Sequence, residues 1–302
     1  MTNKANQSNP TVLRKGRAGP VSRRSRTHQV ANWVAAAETF LIDLDGTLIQ
    51  QAYPLDGAAA LLDRLAGRFM IVSNNSADTA DALAGRLMAI GLPVTGRQLV
   101  LAGEQTIKFL AERHPHCRVM LFASAAMRRM AVNYGLALVD RNADLIVLMR
   151  DSSFDYAGLS LAANEIRAGA KLIVSNPDLT HPAPGGQIVV ETGALMTALT
   201  ACADALPARI IGKPEPDLFV EAMRRLAALP DNTIVIGDNP DTDARGAVRL
   251  GLRYLLLGPG AGADANSPAA LLELPGFGAG ANPARPRNTQ PERIAADDLS
   301  SA

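Results

Sequence analysis

The chain predicts an α/β fold: a parallel sheet flanked by helices, with a second α/β unit inserted into it. Three observations carry this expectation. Between Glu38 and Leu257, short apolar runs alternate with amphipathic stretches. The runs are continuously apolar, as strands covered on both faces of a parallel sheet must be. About 140 residues separate Ser73 from Lys213, and that interval holds apolar runs and helical stretches of its own.

In chain order, residues 1–37 come first, with seven basic residues (Lys4, Arg14, Lys15, Arg17, Arg23, Arg24, Arg26) and no acidic one, among Ser, Asn, Gly and Pro. This composition reads as a basic flexible tail, and it also matches that of an organellar transit peptide. Residues 38–112 form the first part of the core, with strands at Phe40 to Ile42, Phe69 to Val72 and Leu99 to Leu101, and helices over Leu55 to Leu65, Thr79 to Ile90 and Gln105 to Arg113. Residues 113–206 form the insert, with strand-like runs at Val119 to Phe122, Asp144 to Leu148, Lys171 to Val174 and Gln187 to Val190, and a helix over Tyr156 to Arg167. Residues 207–258 return to the core through strands at Ile210 to Ile211, Thr233 to Ile236 and Leu252 to Leu256, with helices over Pro216 to Ala228 and Asp241 to Leu250. Residues 259–302 are rich in Gly, Pro and Ala and read as largely flexible, with only Leu271 to Leu274 able to pack.

Composition narrows the function. With 302 residues, 48% of them hydrophobic, the chain can bury a full core. A net charge of +1 gives no global attraction to nucleic acid or to an anionic membrane, and the few aromatics do not interleave with basic residues. No apolar run reaches membrane-spanning length, and no signal-peptide hydrophobic region is expected. Cys117 and Cys202 lie far apart, which argues against a zinc site or a disulfide scaffold and for a reducing, cytoplasmic compartment. His114 and His116 flank Pro115 in a polar loop, with His181 distant; this spacing favours a surface loop over a metal site.

The chemistry concentrates where strands end. Phe40-Leu41-Ile42 runs into Asp43-Leu44-Asp45-Gly46-Thr47, which places two carboxylates two residues apart. Such a pair repels itself unless a cation or a proton-transfer task holds it. Three more strands end in polar groups: one in Ser73-Asn74-Asn75, one in Gly212-Lys213-Pro214, and one in Gly237-Asp238-Asn239-Pro240-Asp241-Thr242-Asp243. If the strands are parallel neighbours, one crevice receives acids, a hydroxyl and an ammonium, a set complementary to a magnesium phosphate ester. Asp43, Asp45 and Asp238 can hold Mg²⁺, and Lys213 and Ser73 can stabilise phosphoryl oxygens. One carboxylate is left to attack phosphorus, and the second acid can protonate the leaving oxygen and then activate water.

These four segments, in this order, resemble the four motifs of the haloacid dehalogenase-like (HAD) hydrolase superfamily. The short connection from Asp43 to Ser73 and the long one to Lys213 are similar to those of the branch with a C2-type cap, the NagD-like phosphatases. The resemblance implies a Rossmann-like core and an inserted α/β cap. It makes Asp43 the nucleophile and a magnesium ligand, and Asp45 the general acid/base that lends its backbone carbonyl to the metal. Ser73 and Lys213 would bind the phosphoryl group, with Asn74 beside them; Asp238 would ligate the metal, and Asp243 would support the metal and Lys213. Asp45 matches the phosphatase pattern and disfavours dehalogenation. In the insert, Ser175-Asn176-Pro177-Asp178 resembles the T-N-P-D segment of NagD-like caps, so that Asn176 and Asp178 would contact the leaving group; an Asn-Pro turn ending a strand reads equally well.

Two stretches depart from the family. Leu148-Met149-Arg150-Asp151 stands where relatives have a Gly/Asp element, and Glu191-Thr192-Gly193 where they have a P-G-A-G-like stretch. The expected substrate is a small phosphorylated metabolite, such as a nucleoside monophosphate or a sugar phosphate, with a homo-oligomer through the cap as a further option. Two alternatives stay open: transfer of the phosphoryl group to an acceptor other than water, and a non-catalytic interaction module.

Overall fold

The computed structural model describes residues 23–260 and 262–277. The strand Thr39–Ile42 lies at the centre of a five-stranded, all-parallel sheet whose order is Arg253–Leu256, Thr233–Gly237, Thr39–Ile42, Phe69–Ser73, Leu99–Leu101. All four residues of the central strand are buried, and its period of two sends them to two cores. Phe40 and Ile42 join Leu61, Leu87 and Leu271 on one face, and Leu41 joins Val72, Leu218 and Phe219 on the other. The chain leaves the central strand to build outward through Phe69–Ser73 and Leu99–Leu101, and later returns to its other side with Thr233–Gly237. That reversal makes a crevice at the carboxyl ends of Thr39–Ile42 and Thr233–Gly237, where open α/β sheets hold ligands.

A second parallel sheet has the order Arg209–Ile210, Lys171–Val174, Leu145–Leu148, Arg118–Phe122, Ala137–Leu138. Its helices include Ala125–Asn133, Tyr156–Arg167 and Thr192–Ala203. The strand at Arg209–Ile210 corrects the expectation of a core strand at 210–211. It pairs with Ile173 and Val174 in the second sheet, and only then does Ile211 enter the core. The run at Ile188–Val190 joins neither large sheet; it forms an antiparallel hairpin with Thr180–Pro182.

Both tails are partly folded. Arg23–Ala36 is a helix, against the expectation of a tail through Ala37. Val30 and Val34, one turn apart, are buried with Ala37 against Phe277, and the Arg26 guanidinium pairs with Asp264 (2.8 Å) while lying over Trp33. The carboxyl-terminal stretch packs further than Leu271 to Leu274. Pro268–Leu272 is helical, Phe277 is buried, and Arg64 Nε donates to its carbonyl at 2.9 Å. Residues 1–22 and 278–302, the remainder of the expected tails, lie outside the described residues. Among the described residues no helix is long and apolar enough to cross a membrane.

Candidate active site

Asp43 continues the central strand, its N–H donating to Ile236 O at 2.8 Å, and its side chain is buried at the mouth of the crevice. Gly46 then turns the chain at φ +83°, where a Cβ would sit 2.1 Å from Asp238 Oδ2. Only glycine lets the first acidic loop run this close to the second. The loop also delivers Thr47, fully buried, whose hydroxyl donates to Asp43 Oδ2 at 3.3 Å.

Lys213 reaches the same acid from the other side. Its ammonium is buried and donates to Asp43 Oδ1 and, at 2.7 Å, to Asp243 Oδ1. Burial alone would lower the pKa of this group; the charges of Asp243 and Asp43 more than offset that and hold it above its ordinary value, fully protonated. A wide π-type turn, Pro240–Ala244, folds Asp243 back to this position, and the second Asp243 oxygen accepts the Asn239 N–H at 3.2 Å. Both Asp243 oxygens are therefore engaged in holding Lys213 and the turn.

One oxygen each from Asp43, Asp238 and Asp243 lies within 4.8 Å of the others. Burial, and then the charges of Asp43 and Asp243, push the Asp238 carboxyl above its usual range. The cluster thus carries more negative charge than Lys213 neutralises, and a set of hard oxygens in that condition suits a divalent cation. Of the three acids, Asp238 is the one that Lys213 does not hold, whereas Asp43 and Asp243 both pair with its ammonium. Asp45 stands open to the cleft, its carboxyl pushed up to about 6 by the loss of solvent around it and then by the charge of Asp43.

Ser73 ends its strand buried, its hydroxyl oxygen accepting the Asn75 N–H at 3.1 Å. Asn74, expected beside the phosphoryl group, has a different task for its side chain. Oδ1 accepts the Lys213 N–H at 2.7 Å, and Nδ2 donates to Lys213 O at 3.1 Å and to Asp178 Oδ2 at 3.0 Å.

The expectation that Asn176 touches a leaving group is corrected. This residue is 1% exposed; Nδ2 donates to Asn74 O (2.9 Å) and Ser76 Oγ (3.3 Å), and Oδ1 accepts the Asp178 N–H (3.1 Å). With its amide consumed, it joins the two α/β units instead. Asp178 is half-buried at this joint; burial raises its carboxyl, opposed by the Asn74 hydrogen bond and the Lys213 charge. The structure therefore brings Asp43, Asp45, Ser73, Asn74, Lys213, Asp238, Asp243 and Asp178 to one crevice and its rim, and Asn176 behind it. Thr47 and Ser76 escaped the sequence reading. Thr47 lay inside the first motif and was legible there as a hydroxyl four residues from Asp43, whereas nothing local to Ser76 announces its role.

The family profile described as haloacid dehalogenase-like hydrolase matches residues 40–137, and one described as HAD-hydrolase-like matches residues 210–273. The chain is 30% identical over 230 residues to a dihydroxyacetone phosphatase of Corynebacterium glutamicum, covering 75% of this chain and 83% of that protein. It is 30% identical over 224 residues to the 5'-nucleotidase YutF of Bacillus subtilis, covering 73% and 87%. Among solved structures, a glycerol phosphate phosphatase of Mycobacterium tuberculosis in complex with magnesium superposes with a TM-score of 0.68 at 32% identity, covering 74% of this chain and 68% of that one.

Proposed function

The chain belongs to the haloacid dehalogenase-like hydrolase family, in its NagD-like phosphatase branch, and from that premise we propose that this phosphoric monoester hydrolase works with Mg²⁺ through an aspartyl-phosphate on Asp43. The observation that carries the reading is the Asp43 carboxylate, held between the Lys213 ammonium and the Thr47 hydroxyl with Asp238 alongside and Asp45 two residues on. Asp43, Asp238 and the Asp45 carbonyl would hold Mg²⁺, which would supply positive charge against the substrate phosphate.

This chain's residues do the rest. Lys213 and Ser73 hold the phosphoryl oxygens. A carboxylate oxygen of Asp43 attacks phosphorus as the bond to the ester oxygen breaks, and Asp45 gives that oxygen its proton. Asp45, now ionised, takes a proton from water as the water attacks phosphorus, which frees Asp43 and releases inorganic phosphate. A group held near 6 can serve in both forms around neutral pH.

The names of the relatives, a dihydroxyacetone phosphatase, a 5'-nucleotidase and a glycerol phosphate phosphatase, support a small phosphorylated metabolite as substrate. The insert at 113–206 is the cap on this reading, and the two free cysteines suit a cytoplasmic setting. The test is hydrolysis of p-nitrophenyl phosphate with added Mg²⁺ and again with excess chelator, with phosphate and nitrophenol quantified together. Equal release of the two, lost on chelation, is expected. Rates indifferent to chelation contradict the metal, and nitrophenol in excess of phosphate contradicts transfer to water.

A further inference from the structure

The two stretches that depart from the family meet in space. Arg150 Nε lies 3.3 Å from Glu191 Oε1, and the same oxygen takes His181 Nδ1 at 2.6 Å. Their anchoring puts the trio beside the phosphate crevice. The Arg150 N–H donates to Ser76 Oγ at 3.0 Å, the hydroxyl that Asn176 also reaches, and Thr192, next to Glu191, places its Oγ1 3.5 Å from Asn176 Nδ2. Asn176 in turn bonds Asn74 O, next to Ser73. The charge of Glu191 is felt at both Asp45 and Asp178.

Exposure divides the roles. The Glu191 side chain is only 13% exposed, against 46% for Arg150 and 41% for His181, so Glu191 is the anchor and the two bases are the tips a ligand can touch. Arg150 turns the Nε edge of its guanidinium toward Glu191, its two Nη nitrogens have no hydrogen-bond partner among the described residues, and His181 keeps Nε2. The tips are donors, yet they bring little net charge, because Glu191 neutralises the guanidinium. Asp178 adds a carboxylate to the same cleft, while Asp45 enters the reaction in its protonated form. A second anion there would meet net repulsion, whereas hydroxyl or carbonyl oxygens would meet directed donors at no such cost.

We propose that Arg150 and His181, held by Glu191, read the leaving group and select an uncharged, oxygen-rich one, such as a short polyol or sugar, over one that carries a carboxylate. The proposal rests on the phosphatase reading above. Its test compares kcat/KM for glycerol 3-phosphate and for phosphoglycolate, in the full chain and in Glu191→Gln, which keeps the size of the side chain and removes its charge.

The wild type should favour glycerol 3-phosphate by about tenfold or more, since one well-placed polar or charged contact is worth on that order. Glu191→Gln unmasks the Arg150 charge and should lower that ratio by about tenfold, with the change carried by a lower KM for phosphoglycolate. The ratio does not depend on how much of the protein is folded. A wild-type ratio at or below one overturns the proposal even if the variant fails to fold, and so does a Glu191→Gln ratio within about twofold of wild type. Failure of the phosphatase reading would look different: the wild type would then hydrolyse neither ester, nor p-nitrophenyl phosphate.

Discussion

The side chain of Asn74 grips the backbone of Lys213 at both ends of one residue, accepting its N–H at 2.7 Å and donating to its carbonyl at 3.1 Å. The two residues come from different parts of the core, separated by the whole insert. The clamp sets the height at which the Lys213 ammonium enters the acid cluster. It also passes through Nδ2 to Asp178, so one amide ties the loop after Phe69–Ser73, Lys213 and the inserted unit together.

Asn74→Ala should therefore act through Lys213. Two buried backbone groups lose their partners, at a cost of roughly 1–3 kcal/mol, and kcat should fall more than KM rises because the displaced ammonium serves the transition state. Thermal unfolding and steady-state kinetics check this. A higher KM with unchanged kcat would make Asn74 a simple phosphate contact instead.

Asp45→Asn should reveal proton transfer. The loss expected is about 10²–10⁴-fold for alkyl phosphates and clearly less for p-nitrophenyl phosphate, whose leaving group scarcely needs a proton. Rates on a series of leaving groups measure it, and equal losses along the series would remove Asp45 from the acid role.

Asn176→Ala separates a joint from a specificity contact. The substitution orphans Asn74 O and the Asp178 N–H, so stability should fall by about 1–3 kcal/mol and activity on all substrates should fall together. A selective loss on one substrate at an unchanged melting temperature would restore the residue to the leaving-group site.

The acid cluster also predicts a pH dependence. Asp45 is held near 6 and Asp238 above its ordinary range, so across the interval from the unfolded carboxylate pKa up through these values the folded, metal-free protein holds more protons than the unfolded chain. This contribution to stability is complete below about pH 4 and is lost as the pH rises through about 6. On the proposed reading Mg²⁺ would bind the ionised acids, so the rise in melting temperature on adding it should be larger at about pH 7.5 than at about pH 5. Melting curves with and without the metal test this, and a larger rise at the lower pH would contradict it.

Much of this site is legible in the sequence because each motif is local. A buried strand followed at once by polar residues carries both its burial and its position at the sheet's carboxyl edge, so Asp43, Ser73 and Asp238 could be read together. What escaped depends on contacts between distant segments. The helix Arg23–Ala36 shows only Val30 and Val34 as a spaced apolar pair, and its stability comes from Phe277 and Asp264 near the far end of the chain. The strand Arg209–Ile210 has two residues, too few for its own pattern to choose between sheets. Asn176 reads in sequence as a polar tip at a strand end, and only the approach of Asn74 and Ser76 shows that the amide is spent. Arg150 and Glu191 were visible as departures, but their pairing was not.

The most direct test of the central claim is the kcat of Asp43→Asn on p-nitrophenyl phosphate with Mg²⁺ present. The account predicts a fall of about 10³-fold or more, equivalent to roughly 4 kcal/mol of barrier, in a protein whose melting curve still shows a cooperative fold. A rate close to that of the wild type would contradict the aspartyl-phosphate mechanism.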